Sequence, residues 1–219
     1  MSLPKKFDDR LRTLMNRRAA WPPGVPVDLG AIVSLKNGVF TPVDSLSDHG
    51  VTFKKKIGKA SQLSLSAQGV RETLFQGNAS VPSLDALAAN AKARLRIEFT
   101  RSDTYFLRTP KLTTETIGDL KNVGRVVARN GVLSNFQQEY IVWQVMTAED
   151  FVFLASKKAG TEVTFSGDVS AMEKLMDAGI TAEVSVRSSR NLEFTIKGEG
   201  GPVAIGVTRI GRDGTLRDI

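Results

Sequence analysis

The chain has 219 residues, with 30 Lys and Arg against 23 Asp and Glu, one histidine and no cysteine. The missing cysteine excludes disulfides, thiolate metal sites, cysteine nucleophiles and cysteine lipidation, and a lone His49 excludes a multi-histidine metal centre. A net charge of +7 points to a polyanionic partner, either nucleic acid or an acidic membrane surface, although a basic protein without such a partner carries the same charge.

The length fits one large domain or two small ones. No window reaches 18 consecutive apolar residues, so no transmembrane helix is expected, and the charged N-terminus lacks the apolar core of a secretory signal. A cysteine-free chain fits a reducing cytosol.

Residues 5–18, KKFDDRLRTLMNRR, predict a basic amphipathic helix. Phe7, Leu11, Leu14 and Met15 share a stripe, Pro4 suits the first turn, and Asp8 and Asp9 lie near the end that the helix dipole makes positive. The prolines of Trp21-Pro22-Pro23-Gly24-Val25-Pro26 are expected to stop it. Such a helix can lie on an acidic membrane, or pack on a domain and show water its basic face. Ala31–Leu35 and Val39–Val43 predict strands around the turn Lys36-Asn37-Gly38, and Lys54, Lys55, Lys56 and Lys59 form a lysine cluster that wants phosphate or solvent.

Strict alternation marks Leu63–Ala67, Leu95–Phe99, Val163–Phe165, Ala182–Val186 and Leu192–Ile196 as strands with one apolar and one polar face. A half-covered sheet has this pattern, and so does a membrane β-barrel. Helices are expected over Ser83–Arg94 and Ser170–Ala178, both with serine caps, and over Ile117–Ala128, ending at Asn130-Gly131. The densest apolar stretch, Glu139–Phe165, reads as a hairpin turning at Thr147-Ala148-Glu149-Asp150; a helix competes but lacks a 3.6-residue stripe. Tyr140–Met146 is expected to be buried on both faces and Phe151–Phe165 to be one-sided. Trp143→Ala should then unfold the chain and Phe153→Asp spare it. The last strand, Val203–Ile210, follows a glycine turn at 198–202, and the tail 211–219 is polar and loose. No linker or fixed repeat divides residues 1–219. The expected fold is therefore α+β, a single domain with a twisted, mainly antiparallel central sheet and peripheral helices.

No arrangement for catalysis emerges. Ser47, Asp48 and His49 are neighbours and cannot stack as a relay, Glu149 and Asp150 are adjacent turn residues, and Gly198–Gly201 opens no helix. An enzyme is not expected, and neither a cofactor nor a metal is implied.

The order of pieces resembles the gasdermin pore-forming domain. A basic N-terminal helix precedes GVFTPVDSL, in which Gly38, Pro42, Val43, Ser45 and Leu46 occupy the family's motif positions. Then come the basic strand VTFKKK, the strand YIVWQVM and LEFTIKGEGGPVAIGVTRI, which is similar to the family's closing strands. The resemblance spans residues 5–210 and rests on several weak motifs in order.

It implies a chain that binds acidic membrane lipids, self-oligomerises in the membrane and extends two hairpins, here drawn from 58–108 and 150–197, into a barrel. The matching lipid-binding residues are Lys5, Lys6, Arg10, Arg12, Arg17 and Arg18 on the helix and Lys54, Lys55 and Lys56 on the strand. An activating protease is implied, with either the short tail after Ile210 as the segment removed or this chain as a fragment, and with a cytoplasmic resting form and a membrane-bound active one. The lipidated N-terminal cysteine of some bacterial relatives has no counterpart. The alternatives are a basic nucleic-acid-binding α+β module and an interaction scaffold with incidental charge.

Overall fold

The computed structural model describes residues 2–36, 38–86, 92–133, 138–178, 185–188 and 192–217. In chain order the elements are α1 (Leu3–Met15), β1 (Arg18–Ala19), β2 (Ala31–Lys36), β3 (Val39–Ser45), β4 (Lys55–Ile57), β5 (Ser61–Ser66), β6 (Val70–Gln76) and β7 (Ala79–Val81). There follow β8 (Lys92–Phe99), β9 (Thr104–Ile117), α2 (Leu120–Asn130), β10 (Glu139–Ser156), β11 (Thr161–Asp168), α3 (Val169–Ala178), β12 (Ser185–Ser188), β13 (Leu192–Ile210) and β14 (Leu216–Arg217).

Every strand pair among the described residues is antiparallel. A nine-stranded sheet is built on β13-β10-β9, and a five-stranded sheet runs β12-β11-β8-β6-β7. The expected α+β class is what the chain adopts: antiparallel sheets with helices at their periphery.

Alternation along β9 and β10 sets the layers, because successive strand residues point to opposite faces. Tyr105, Leu107, Phe151 and Phe153 pack with Phe7 and Leu11 of α1. Their neighbours Phe106, Val152 and Leu154 pack instead with Leu95, Ile97, Phe99, Val163 and Phe165 of the smaller sheet and with Met172 of α3. The order at this end is thus α1, large sheet, small sheet. Toward the start of β10, Ile141 packs with Val123 and Val127 of α2. The opposite face there packs Val142 and Tyr140 against Val33 and Phe40.

Several expectations are corrected. No hairpin turns at 147–150: β10 runs unbroken for 18 residues. Ala148 is fully buried opposite Leu112 and Gly201, and the carboxylate of Glu149 reaches Lys111 at 2.5 Å. A polar run inside a sheet has the composition of a turn, and here its polar side chains answer to neighbouring strands. The face assignment reverses as well. Residues 151–156 are all buried, whereas Trp143 and Gln144 are half-buried.

Likewise Gly198–Pro202 is not a turn but the middle of the 19-residue β13. A Cβ on Gly200 would collide with the carbonyl oxygens of Ala148 and Glu149, and one on Gly201 would come within 2.6 Å of the Gly24 backbone. These glycines therefore serve close backbone approach.

Ser83–Arg94 is not a helix over its described part. Leu84–Ala86 forms one 3-10 turn, and Lys92–Arg94 already belongs to β8, where Ala93 starts the buried stripe. Sheet pairing on both sides outweighs the alanine-rich helix propensity. The second helix starts at Leu120, since Ile117 is a buried end of β9, and stops at Gly131 with φ 61°. The cap of α3 is Asp168, whose Oδ1 accepts from the Ala171 N–H at 2.7 Å, rather than Ser170. The tail is tied down: β14 pairs with the end of β13, and Gly214 packs on Gly124 of α2. Ala182 and Val184 lie outside the described residues. The expected pairing of β2 with β3 stands, with Lys36 opposite Val39 and Gly38 at φ 80°, while Asn37 lies outside the described residues.

Candidate functional site

The helix α1 is shorter than its sequence pattern suggests. Pro4 occupies its first turn, and Asn16 ends it in the left-handed region at φ 52°. Arg17 and Arg18 therefore lie beyond the helix. Arg18 sits in β1, where its guanidinium grips Asp8 at 2.7 Å and stacks on the Phe40 ring at 4.9 Å. Asp8 is 5% exposed and also accepts from the Ala19 N–H at 2.8 Å. This pair is a latch between α1 and β1. Of the cations expected to meet lipid, Arg18 thus has its charge matched and turned inward.

The other cations divide by position. Lys5, Arg10 and Arg12 are exposed, and Lys6 is half-buried. Lys5 and Arg12 stand on one flank of α1, two turns apart, and Lys6 and Arg10 on the other, one turn apart. Lys6 Nζ donates to the Asp103 carbonyl at 3.1 Å and lies 3.9 Å from the Asp103 carboxylate. With Arg10 and Arg101 it borders a cleft of about 710 Å³ between α1 and the turns at 66–70 and 101–105. Burial pushes the Tyr105 phenol in this cleft up to about 12, and the Arg10 charge opposes the shift.

Lys54, Lys55 and Lys56 are exposed, the latter two on β4, an edge strand that pairs with β9. Lys55 is engaged by Glu115 at 2.5 Å. The structure brings Arg17 and Lys56 toward each other: Arg17 Nε donates to Gln144 Oε1, and Gln144 Nε2 donates to Thr116 Oγ1 at 3.1 Å. Thr116 is the cross-strand partner of Lys56, and cross-strand partners share a face. Arg17 also stacks on Trp143 at 4.9 Å.

A second basic surface escaped sequence reasoning. The outward residues of β8, β6, β11 and β12 place Arg94, Arg96 and Arg187 around Phe75, Thr164 and Ser166, with Glu162, in a cleft of about 540 Å³. The signal was present in part, since Arg94 and Arg96 fill the polar positions of an alternating strand. Arg187 joins them only through sheet pairing.

Catalytic candidates do not assemble. His49 Nε2 meets Asp44 at 2.7 Å while Ser47 bonds Ser45 at 2.7 Å, so no relay forms. The His49 hydrogen bond, then the Ser45 N–H, hold the Asp44 carboxyl below its usual range. No group of three His, Asp or Glu among the described residues could hold a metal ion. No helix there is long and apolar enough to cross a membrane, which leaves strands open.

Neither a family model nor a curated protein matches this chain. Among solved structures the chain is similar to a bacterial gasdermin from Bradyrhizobium tropiciagri, at 10% identity and a TM-score of 0.39, over 97% of this chain and 90% of that one. The functional reading that follows is carried by this chain's own residues.

Proposed function

We propose that this protein is a membrane pore-former. It docks on acidic lipid through the exposed cations of α1 and β4, self-associates, and converts stored hairpins into a membrane β-barrel, with limited proteolysis as the trigger. Its resting form is cytoplasmic in this reading, and its active form is in the membrane.

The observation that carries the reading is how two hairpins are stored. β8 and β9 are joined by residues 100–103, and β10 and β11 by 157–160. β9 already pairs with β10, and β8 with β11, but each hairpin is folded so that its two strands lie in different sheets. Burial alternates without a break along 92–99 and nearly so along 161–168, with apolar residues inside and Arg94, Arg96, Glu98, Glu162 and Thr164 outside. Opening the sandwich would therefore release strands with one lipid-compatible and one water-compatible face. At eight residues each, they approach the 9–11 or so of a tilted barrel strand. Exposing each core side chain to water costs about 1.5–3 kcal/mol, which burial in lipid repays. This accounts for a form that stays closed until a membrane is met.

Nucleic acid is less well served. Stacking platforms need open aromatic faces, and the ring on the outer sheet surface, Phe75, is overlaid by Arg94 and Arg96.

Dye release from vesicles tests the proposal. Leakage is expected from vesicles containing phosphatidylserine after limited proteolysis, and not from neutral ones. Lys5→Glu with Arg12→Glu should reduce it. Absence of leakage from every vesicle, with and without proteolysis, refutes it.

A further inference from the structure

We propose that the cleft on the outer face of the five-stranded sheet binds a soluble phosphate ester, gripped by Arg94, Arg96 and Arg187. Arg94 and Arg96 place their guanidinium carbons 5.8 and 4.9 Å from the centroid of the single Phe75 ring. Two like charges are thus held beside one another on an aromatic support. Among the described residues, three guanidiniums and one carboxylate, Glu162, line the cleft. Arg94 is held by uncharged groups, the Gly77 carbonyl and Asn78 Oδ1. Arg187 is exposed and has no ion pair among the described residues. The Nε of Arg96 is buried without a hydrogen bond, its contact being the 3.3 Å approach to Glu162.

The spacing suits a phosphate. Arg96, Thr164 and Arg187 are Cα partners across β8, β11 and β12, so the two arginines flank the threonine at about 10 Å between their backbones, twice the strand spacing. Long arms from both sides can close on a group seated over Thr164. Guanidinium forks match phosphate oxygens two by two, which a free halide or a lone carboxylate cannot exploit as fully. The volume of about 540 Å³ is that of a small-molecule site.

The layering decides the source of the phosphate. Leu95, Ile97 and Phe99 point at the large sheet, so Arg94 and Arg96 point away from it, and α1 lies on the far side of that sheet. A membrane touching α1 leaves this cleft facing the solvent. The ligand is accordingly a soluble phosphate ester rather than a lipid headgroup. The site itself stands on this geometry, and the choice of a soluble ester over a headgroup rests on the proposed membrane docking through α1.

Titration calorimetry of the full chain with pyrophosphate, and with inorganic phosphate as a second probe, at constant ionic strength, tests it. Saturable binding is expected, weakened about tenfold by Arg96→Gln and by Arg187→Gln, and unchanged by Arg12→Gln. Circular dichroism of each variant should match the parent, since all three side chains are outward. Failure of both probes to saturate overturns the site, as does equal weakening by Arg12→Gln. If Arg96→Gln with Arg187→Gln instead lowers binding to phosphatidylserine vesicles, the cleft is a headgroup site and the soluble ligand is overturned.

Discussion

Asp8 shows how one residue can mislead from sequence alone. Near the start of a basic helix it reads as a partner for the helix dipole. In the fold it is almost fully buried and accepts from Arg18 and from the Ala19 N–H. Asp8→Ala leaves a guanidinium 14% exposed with no acid, and breaking a buried pair from one side costs about 3–5 kcal/mol. Urea unfolding should show a loss near the lower end, partly recovered by adding Arg18→Met. Tyr105 makes a second test. Its phenol stays neutral in the fold up to about 12, whereas the unfolded chain ionises near 10. Stability from this residue is complete below about pH 10 and falls between about 10 and 12, as the unfolded state gives up its proton first. Tyr105→Phe should flatten that part of a melting-temperature profile against pH.

At the scale of elements, β10 is the spine. It pairs with β13 along one edge and with β2 and then β9 along the other. Its second half is its most committed part. Phe153 is fully buried and packs on Phe7 and Trp21, with centroids 5.7 and 5.6 Å away. Trp143 is half-buried under Arg17. The expected ranking therefore inverts: Phe153→Ala should cost about 3–5 kcal/mol and Trp143→Ala clearly less, as chemical denaturation will show. Phe153→Asp should unfold the chain rather than spare it. Equal losses at both positions would contradict the burial. Alternation located β8 and β11 correctly because period two survives wherever one face is wet. It failed at 147–150 and 198–202 because polar and glycine residues there answer to a neighbouring strand, which no local window contains.

For the whole molecule, the layers α1, large sheet and small sheet give two basic surfaces facing opposite ways. The first, on α1 and β4, belongs to the proposed membrane encounter, and its cations are largely solvent-exposed. Such attraction is screened within about 10 Å at 0.1 M salt and about 3 Å at 1 M. Binding to phosphatidylserine vesicles, measured by co-sedimentation, should fall several-fold between those salt concentrations. Binding that is indifferent to salt would assign the encounter to apolar contact instead.

The sequence by itself determined the α+β class, the antiparallel strands with one wet face, the basic helix and the helix ending at Gly131, since each follows from local periodicity, charge or a left-handed stop. Only the tertiary structure decided which half of β10 is core, that Arg18 pairs with a buried Asp8, and that Arg187 stands across Thr164 from Arg96. Those facts depend on strand register and on which face each layer covers. Register joins residues as far apart as Arg96 and Arg187, and burial is settled by what packs on top.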